Sequence, residues 1–387
     1  MPPLKLVWRN LLRRPMRSLL TVASLAVAIF LVCGLRSIIT TIRSAADSAD
    51  PRRLAVMSAS GLFVELPMSY QATMDAVPGV EMSTKFQWFG GYYRSQQNFF
   101  AQFAVDPAAM FSMYPECQVD ADVPKRMAEE RTACIIGSTL ARDFDWKVGD
   151  TIPLIGALHP HPQDIAWEFK VVGIYHSNRP NFDNRTLFFR WDYFEETLKQ
   201  GGVPPAVAVF ALRVAPGAEV EQVIADIEDA FRDSDQRVDC STEAEFQRQF
   251  QSMFGNMPLF LAWIGGGVLI AILVACANTM LMAMREQTPD VGILKALGYT
   301  DGAMFGLFLT QAIVLCGLGG ACGMLTAVIT QPGIAAGMEM FAPGYEVQPA
   351  TYAMAAGLAL GVGLLSGIAP AFLARRLTCI EAFRRVD

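Results

Sequence analysis

Four long apolar stretches constrain this chain more than any other feature of its sequence. They are residues 19–43, 257–284, 301–331 and 351–374. A run of about 18 or more apolar residues can cross the hydrocarbon core of a bilayer as a helix, so each stretch predicts a transmembrane helix. After the first apolar core, Arg36-Ser37-Ile38-Ile39 lacks the small-x-small pattern of a signal-peptide cleavage site, which favours a retained helix over a cleaved leader.

A large polar region separates the first two predicted spans. Residues 44–256 contain no further apolar run of that length, and short β-like runs alternate there with helical patterns. The β-like runs are 54–57, 62–66, 99–105, 132–136, 169–175, 186–189 and 207–214, and the helical patterns are 69–76, 138–144, 191–199 and 220–232. We therefore predict an α-helical membrane protein with four transmembrane helices and a large extracytoplasmic α+β domain between helices 1 and 2. Residues 106–127 are expected to form a smaller, more irregular part of that domain.

The charged residues favour one orientation in the membrane. Residues 1–18 carry no acid, and their apolar residues recur at helical spacing, which is typical of an amphipathic helix on an anionic membrane surface. The basic residues of this segment are Lys5, Arg9, Arg13, Arg14 and Arg17. The tail, 375–387, is also rich in arginine, so the positive-inside rule places both termini in the cytoplasm and the short loop 332–350 outside. A net charge of −6 argues against a nucleic-acid partner.

Glycines recur four residues apart in the last two predicted spans. The pairs are Gly319/Gly323, Gly357/Gly361 and Gly363/Gly367. Small residues at this spacing let two membrane helices approach closely, which predicts helix packing at these positions. The alternative is that glycine is simply common in membrane helices.

A polar island, 285–300, lies between the second and third spans. Thr288 is expected to cap a short helix, with Pro289 in its first turn and Asp290 where the helix dipole favours an acid. Apolar residues follow at helical spacing, and Gly298 supplies the stop. The island thus predicts a short amphipathic helix at the cytoplasmic membrane face that could receive a push from a soluble partner. The alternative is a turn that only joins two spans.

Motifs for catalysis, metals or redox chemistry are missing from the sequence. The eight cysteines show no CxxC spacing, and no phosphate-binding G-x-x-x-x-G-K-[ST] occurs, so we expect neither a cofactor in this chain nor ATP hydrolysis by it. His159 and His161 could hold a metal with Cys134 or an acid, but a solvated proline-rich loop is the favoured explanation. Cys117, Cys134 and Cys240 would lie in an oxidising space, where one disulfide plus a free thiol and three buried thiols are both compatible with the sequence.

Several segments, taken in order, resemble one family. Residues 8–15 (WRNLLRRP) resemble its entry to the first helix, and 78–80, 136–138, 148–150 and 171–174 resemble its extracytoplasmic core. The island resembles its cytoplasmic loop at Glu286, Thr288, Asp290, Val291, Gly292, Leu294, Lys295, Ala296, Leu297 and Gly298. The chain is similar in these respects to permeases of ATP-binding-cassette (ABC) systems of the MacB/FtsX/LolC–LolE group. It departs from their pattern at Gln287, Pro289 and Cys379.

The resemblance implies a function. Such a permease pairs with a second permease copy, identical or paralogous, in a bacterial cytoplasmic membrane, and each copy docks a separate ATPase subunit that carries ATP and magnesium. The island would be the coupling helix, with Val291 and Leu294 as central anchors and Glu286, Asp290 and Lys295 as rim charges. Motion of the extracytoplasmic domain, with a possible periplasmic adaptor, would then export or extract an amphiphile such as a drug, peptide, lipid or lipoprotein. The alternative within the group is an FtsX-like transmitter that controls an external partner without transport.

Overall fold

The computed structural model describes residues 4–62, 64–179, 182–253, 257–338 and 344–378. The chain divides into two compact units. The first consists of residues 1–41, 256–338 and 345–387, and the second of residues 42–255 and 339–344.

Two helices begin the chain. Helix α1 is Leu4–Arg13 and α2 is Pro15–Asp47. Proline suits the first turn of a helix because its missing N–H is not needed there, and this explains why the predicted amphipathic segment ends at Arg13 and a new helix begins at Pro15. Helix α2 has 33 residues, which corresponds to a length of about 50 Å.

The second unit is an α+β domain. Its strands are β1 Arg53–Ser58, β2 Leu66–Pro67, β3 Val80–Trp88, β4 Gly91–Tyr92, β5 Ala101–Val105, β6 Ala133–Gly137, β7 Thr151–Gly156, β8 Trp167–Tyr175, β9 Thr186–Arg190, β10 Ala206–Val207, β11 Val209–Val214 and β12 Val238–Thr242. Its helices are α3 Tyr70–Asp75, α4 Pro107–Met113, α5 Val123–Glu129, α6 Ser138–Phe144, α7 Trp191–Gln200, α8 Val220–Ala230 and α9 Glu243–Met253. Ten strands form one sheet in the order β12-β1-β11-β3-β5-β9-β6-β8-β7-β4, and β10 pairs with β2.

The sheet is covered on both faces. Consecutive residues of a strand point to opposite faces, and in β6 Cys134 and Ile136 join one buried apolar cluster whereas Ala133 and Ile135 join another. The second cluster includes residues of α4 and α5. Residues 106–127, expected to be irregular, therefore supply two short helices that cover one face.

Several elements of this domain differ from the sequence expectation. The predicted strand 62–66 reduces to β2, and Phe63 lies outside the described residues. Strand β3 was not predicted, because its polar residues Ser83, Thr84 and Gln87 broke the apolar pattern although the sheet buries all three.

The chain then returns to the first unit through four helices. They are α10 Met257–Glu286, α11 Thr288–Ala296, α12 Asp301–Met338 and α13 Pro349–Arg376. Among the described residues, α2, α10, α12 and α13 are the helices long and apolar enough to cross a membrane, so the protein is a multi-pass membrane protein. The third span was expected to end at 331, before Pro332, but α12 continues through this proline.

Four of the six predicted packing glycines lie against another helix of the same chain. A Cβ added to Gly323 would lie 2.5 Å from the carbonyl oxygen of Ala26, and one added to Gly319 would lie 2.9 Å from the Cβ of Leu25. Gly363 and Gly367 approach α12 in the same way. Gly357 and Gly361 face open space. The first four glycines thus let α12 approach α2 and α13 within one chain.

Candidate functional site

Helix α11 is a short, well-terminated element between two membrane helices. Its N-cap is Gln287 without a side-chain capping bond, and the Thr288 hydroxyl donates to the carbonyl of Met284 at 3.3 Å. The expectation that Thr288 caps the helix is therefore wrong. The C-terminus is as predicted: Gly298 has φ +93°, and the N–H groups of Gly298 and Tyr299 donate to Lys295 and Leu294 in a Schellman pattern.

One face of α11 packs into its own unit. Val291 is 1% exposed and shares an apolar cluster with Met284, Met304, Phe308, Ala371 and Ala374, while Thr288 and Gly292 are also buried. Leu294 is half-buried against the same cluster and a neighbouring one. Val291 and Leu294 were expected to anchor a partner, but their side chains fasten α11 to α10, α12 and α13 instead. A sequence shows which residues share a helix face but not which face points inward.

Lys295 also has an internal role. Its Nζ donates to the carbonyl oxygens of Arg375 at 2.8 Å and Leu377 at 2.7 Å, and it lies 2.7 Å from Asp301 Oδ1. The side chain is only 9% exposed. Lysine near a helix C-terminus commonly binds the last carbonyls, and here it binds those that end α13. It is thus a fastening between α11, α12 and α13 and not the rim charge that we expected.

The two acidic residues of the island pair with the basic N-terminal segment. Arg17 donates to both oxygens of Glu286, with Nη1–Oε2 at 2.6 Å and Nη2–Oε1 at 2.5 Å. Arg14 Nη1 lies 3.1 Å from Glu286 Oε1, and Arg13 pairs with Asp290. Basic residues of the N-terminal segment and acidic residues of the island, about 270 residues apart in sequence, therefore meet. Local spacing could not predict these pairs, although the sequence does show an acid-free basic segment and two acids in the island.

Helix α1 packs partly against other helices of the first unit. Leu6 packs against the cluster of Met280, Leu307, Ala312 and Leu315, which Leu294 also contacts. Trp8 and Arg9 are exposed and free to meet a membrane surface, whereas the side chain of Lys5 lies outside the described residues. Asn10 donates to the Gln287 side chain at 3.3 Å. The segment that was expected to lie on an anionic membrane surface thus also braces α11.

The outward face of α11 is apolar. Ile293 is 49% exposed and Leu297 is 73% exposed, and these residues lie one turn apart on the same side of the helix. Tyr299, 38% exposed, follows directly after the terminating glycine. We call Ile293, Leu297 and Tyr299 the apolar patch. Leu297 was among the predicted coupling residues, whereas Ile293 and Tyr299 were not.

The polar groups singled out in the extracytoplasmic domain have structural roles. His159 stacks edge-on against Phe194, and its Nε2 lies 3.2 Å from the carbonyl of Trp88; burial lowers the pKa of this imidazole. The described residues contain no group of three or more side chains that could hold a metal ion. Cys117, Cys134 and Cys240 are free, buried thiols in the structure, which favours the second of the two readings left open by the sequence.

The fold defines the class of protein: four membrane-spanning helices, with an α+β domain inserted between the first and second and a short helix fastened between the second and third. Compared with known families, residues 18–230 match the MacB-like periplasmic core domain and residues 262–379 match the FtsX-like permease C-terminal domain. The chain belongs to this MacB/FtsX family of ABC transporter permeases.

Individual relatives show how far the similarity extends. An uncharacterized ABC transporter permease of Methanocaldococcus jannaschii is 25% identical over 322 residues, covering 80% of this chain and 77% of that protein. The macrolide export ATP-binding/permease protein MacB of Escherichia coli is 30% identical over 132 residues, covering 34% of this chain but only 20% of that protein. The periplasmic region of MacB from Actinobacillus actinomycetemcomitans is similar in structure with a TM-score of 0.38 at 7% identity, covering 53% of this chain and 95% of that one.

Proposed function

We propose that this protein is the permease subunit of an ABC transporter and that the apolar patch on α11 is the surface that docks a separate ATPase subunit. The observation that carries the proposal is the contrast between the two faces of α11. Val291 is buried among the membrane helices, while Ile293 and Leu297 are exposed at the end of the spans. Exposed apolar residues grouped at a helix end are typical of an interaction surface.

The fastenings of α11 suit it to receive force. Lys295 ties it to the end of α13, Asp290 pairs with Arg13, and Val291 packs between α10, α12 and α13. A push on the apolar patch therefore moves α11 together with the helices that hold it, because packed interiors transmit displacement rather than absorb it. A flexible turn between two spans would absorb the same push.

Continuous helices supply the route for that motion. Helix α2 runs unbroken from Pro15 to Asp47, beyond the end of its span at Thr41, and α10 runs unbroken from Met257 to Glu286. Between Leu19 and Leu35, α2 contains no acidic, basic or histidine side chain, and α10 contains none between Met257 and Met284, so these stretches hold no charged relay for ions or protons. This supports mechanical transmission in place of conduction.

The remaining assignments follow from this proposal. ATP and magnesium bind the partner ATPase, and the permease works with a second copy, of the same or a paralogous chain, in a cytoplasmic membrane with both termini inside. The proposed transport reaction is the export or extraction of an amphiphile. The exposed basic residues Arg13 and Arg14, together with the arginine-rich tail, support this orientation.

The test is co-purification of the ATPase that is encoded with this chain. Replacing Ile293 and Leu297 together with alanine should reduce ATPase recovery by at least tenfold, since apolar anchors at the centre of an interface each contribute on the order of 1–3 kcal/mol. The matched control is Leu325→Ala, another exposed leucine of the same unit that lies within α12. Equal recovery from the double variant and the control would refute the docking surface.

A further inference from the structure

A groove runs between α2 and α10 at the end of the spans that carries the arginines. It encloses a cavity of about 340 Å³ lined by Arg17, Leu20, Ser24, Ile272, Ala275 and Thr279, among others. Cavities that hold small ligands begin at about 300 Å³. The distance along α2 from Arg17 to Ser24 is seven residues, or about 10 Å. The groove is therefore long enough for part of an extended chain.

The walls of the groove offer little to a polar ligand. The hydroxyls of Thr21, Ser24 and Thr279 each donate to a carbonyl one turn earlier in their own helix, at 2.8–2.9 Å. Their protons are thereby occupied, and apart from Arg17 at one end the rest of the lining is apolar or cysteine. The groove is also open sideways, since Leu20 is 61% exposed and Met282 is 48% exposed. A hydrocarbon chain from the surrounding bilayer fits these walls.

The end of the groove at Arg17 is positively charged. Arg14 and Arg17 share the single carboxylate of Glu286, so these three groups carry a net charge of +1. The Arg14 side chain is 64% exposed and can turn toward a second anion. Guanidinium groups bind phosphate through paired hydrogen bonds.

We propose that this groove binds an anionic phospholipid, with its phosphate against Arg14 and Arg17 and one acyl chain between α2 and α10. The positively charged end of the groove matches the phosphate of such a lipid, and the apolar walls match its acyl chain. A second copy of the chain suits the groove less well. A two-fold symmetric contact there would bring the same positive cluster of both copies together.

The test uses the purified full-length protein in phosphatidylcholine nanodiscs. Traces of photoactivatable phosphatidylglycerol or photoactivatable phosphatidylcholine, with the same diazirine acyl chain, are added in separate samples, and the labelled peptides are identified by mass spectrometry. We expect labelling of residues 17–24 and 272–282, with the anionic lipid favoured about fivefold, as expected for one guanidinium near an anionic lipid. Arg14→Gln should reduce that preference while leaving the bidentate Arg17–Glu286 pair in place.

Two further variants test the apolar part of the groove separately from its positively charged end. Ala275→Phe and, independently, Ser24→Phe fill the groove and should remove labelling by both lipids, whereas Ala321→Phe, at an exposed position of α12 outside the groove, should change nothing. Millimolar inorganic phosphate should not displace the lipid. Equal labelling by the two lipids, displacement by phosphate alone, or cross-links from this segment to a second copy would each overturn the proposal.

Discussion

Two clusters of charge in this protein are built around arginines, but they differ in burial. In the extracytoplasmic domain, Arg53 lies 2.6 Å from both Glu116 and Glu243, and its side chain is 2% exposed. The first unit, which contains the four membrane-spanning helices, is called the membrane unit below. In it, Arg13, Arg14 and Arg17 pair with Asp290 and Glu286. The side chains of four of these five residues are more than one quarter exposed, and Arg17 is the exception. The same kind of ion pair is therefore buried in one cluster and exposed to water in the other.

The difference determines what each cluster can do. A buried carboxylate or guanidinium that loses its partner keeps the full cost of desolvation, so the Arg53 cluster holds its elements in one arrangement. It joins β1, which follows α2 in the chain, to the first residue of α9, which precedes α10. Exposed pairs exchange partners with water at little cost. The ion pairs around Glu286 can therefore break and re-form at little cost in free energy.

The largest expected effect comes from breaking the buried cluster. Arg53→Met should lower the local free energy of unfolding of β1 and α9 by about 3–5 kcal/mol, because Glu116 and Glu243 would remain buried without a cation. Arg232→Met, which breaks the exposed pair with Asp229, is the control and should cost less than about 0.5 kcal/mol. Amide hydrogen exchange of the full-length protein measures both. Similar protection in the two variants would remove the distinction between the clusters.

The next effect tests close packing in the membrane unit. Gly323→Leu should destabilise the protein by about 1–3 kcal/mol, because the new side chain meets the backbone of Ala26. Gly357→Leu, at an open position, should leave the thermal midpoint in detergent almost unchanged. An equal loss of stability in both variants would contradict the close contact at Gly323 and the open space at Gly357.

The buried thiol of Cys117 predicts that stability depends on pH in the alkaline range. Burial raises the pKa of the Cys117 thiol from its ordinary value of 9.0 to about 12. The unfolded chain therefore releases this proton at lower pH than the folded one, and stability that is fully present below pH 9 is lost as pH rises toward 12. Urea unfolding at pH 8 and pH 10 should show a loss of about 1 kcal/mol from Cys117. Cys117→Ala should show a smaller loss, and an identical alkaline slope in that variant would contradict the assignment.

The smallest effect should come from the exposed cluster. Asp290→Asn removes the pairing with Arg13 and should change the stability of the membrane unit by less than about 1 kcal/mol, an effect that added salt should reduce further. Thermal unfolding at low and high salt measures it. A salt-independent loss comparable with that of Arg53→Met would show that this cluster is structural.

The sequence predicted the fold better than the site. The length of the apolar stretches located the four spans. Short β-like runs located strands such as β8, and helical spacing located helices such as α6, because burial there follows the local pattern of apolar residues. Strand β3 was missed since a sheet can bury hydrogen-bonded polar residues such as Gln87, whose side chain is fixed by Glu65 and by the N–H of Ala208. Helix α12 continues through Pro332, a residue that in a local pattern indicates the end of a helix.

For α11, the sequence predicted a short helix but not which of its faces points outward. The spacing of Val291, Leu294 and Leu297 indicated amphipathicity, but membrane helices are apolar all round, so a neighbouring polar helix can bury its apolar residues against them. Which apolar residues remain outside depends on the positions of α10, α12 and α13. Long-range pairs such as Arg17–Glu286 are equally invisible to local spacing.

The most direct test of the account is site-specific photo-cross-linking from α11 to the ATPase. A photoreactive amino acid placed at Leu297 should cross-link to the ATPase subunit in membranes, and one at Leu360, an exposed position of α13, should not. The account also predicts that the same probe at Val291 links only to α10, α12 or α13. ATPase cross-links from position 291 or 360, together with none from 297, would contradict the proposal that α11 docks the ATPase through its outward face.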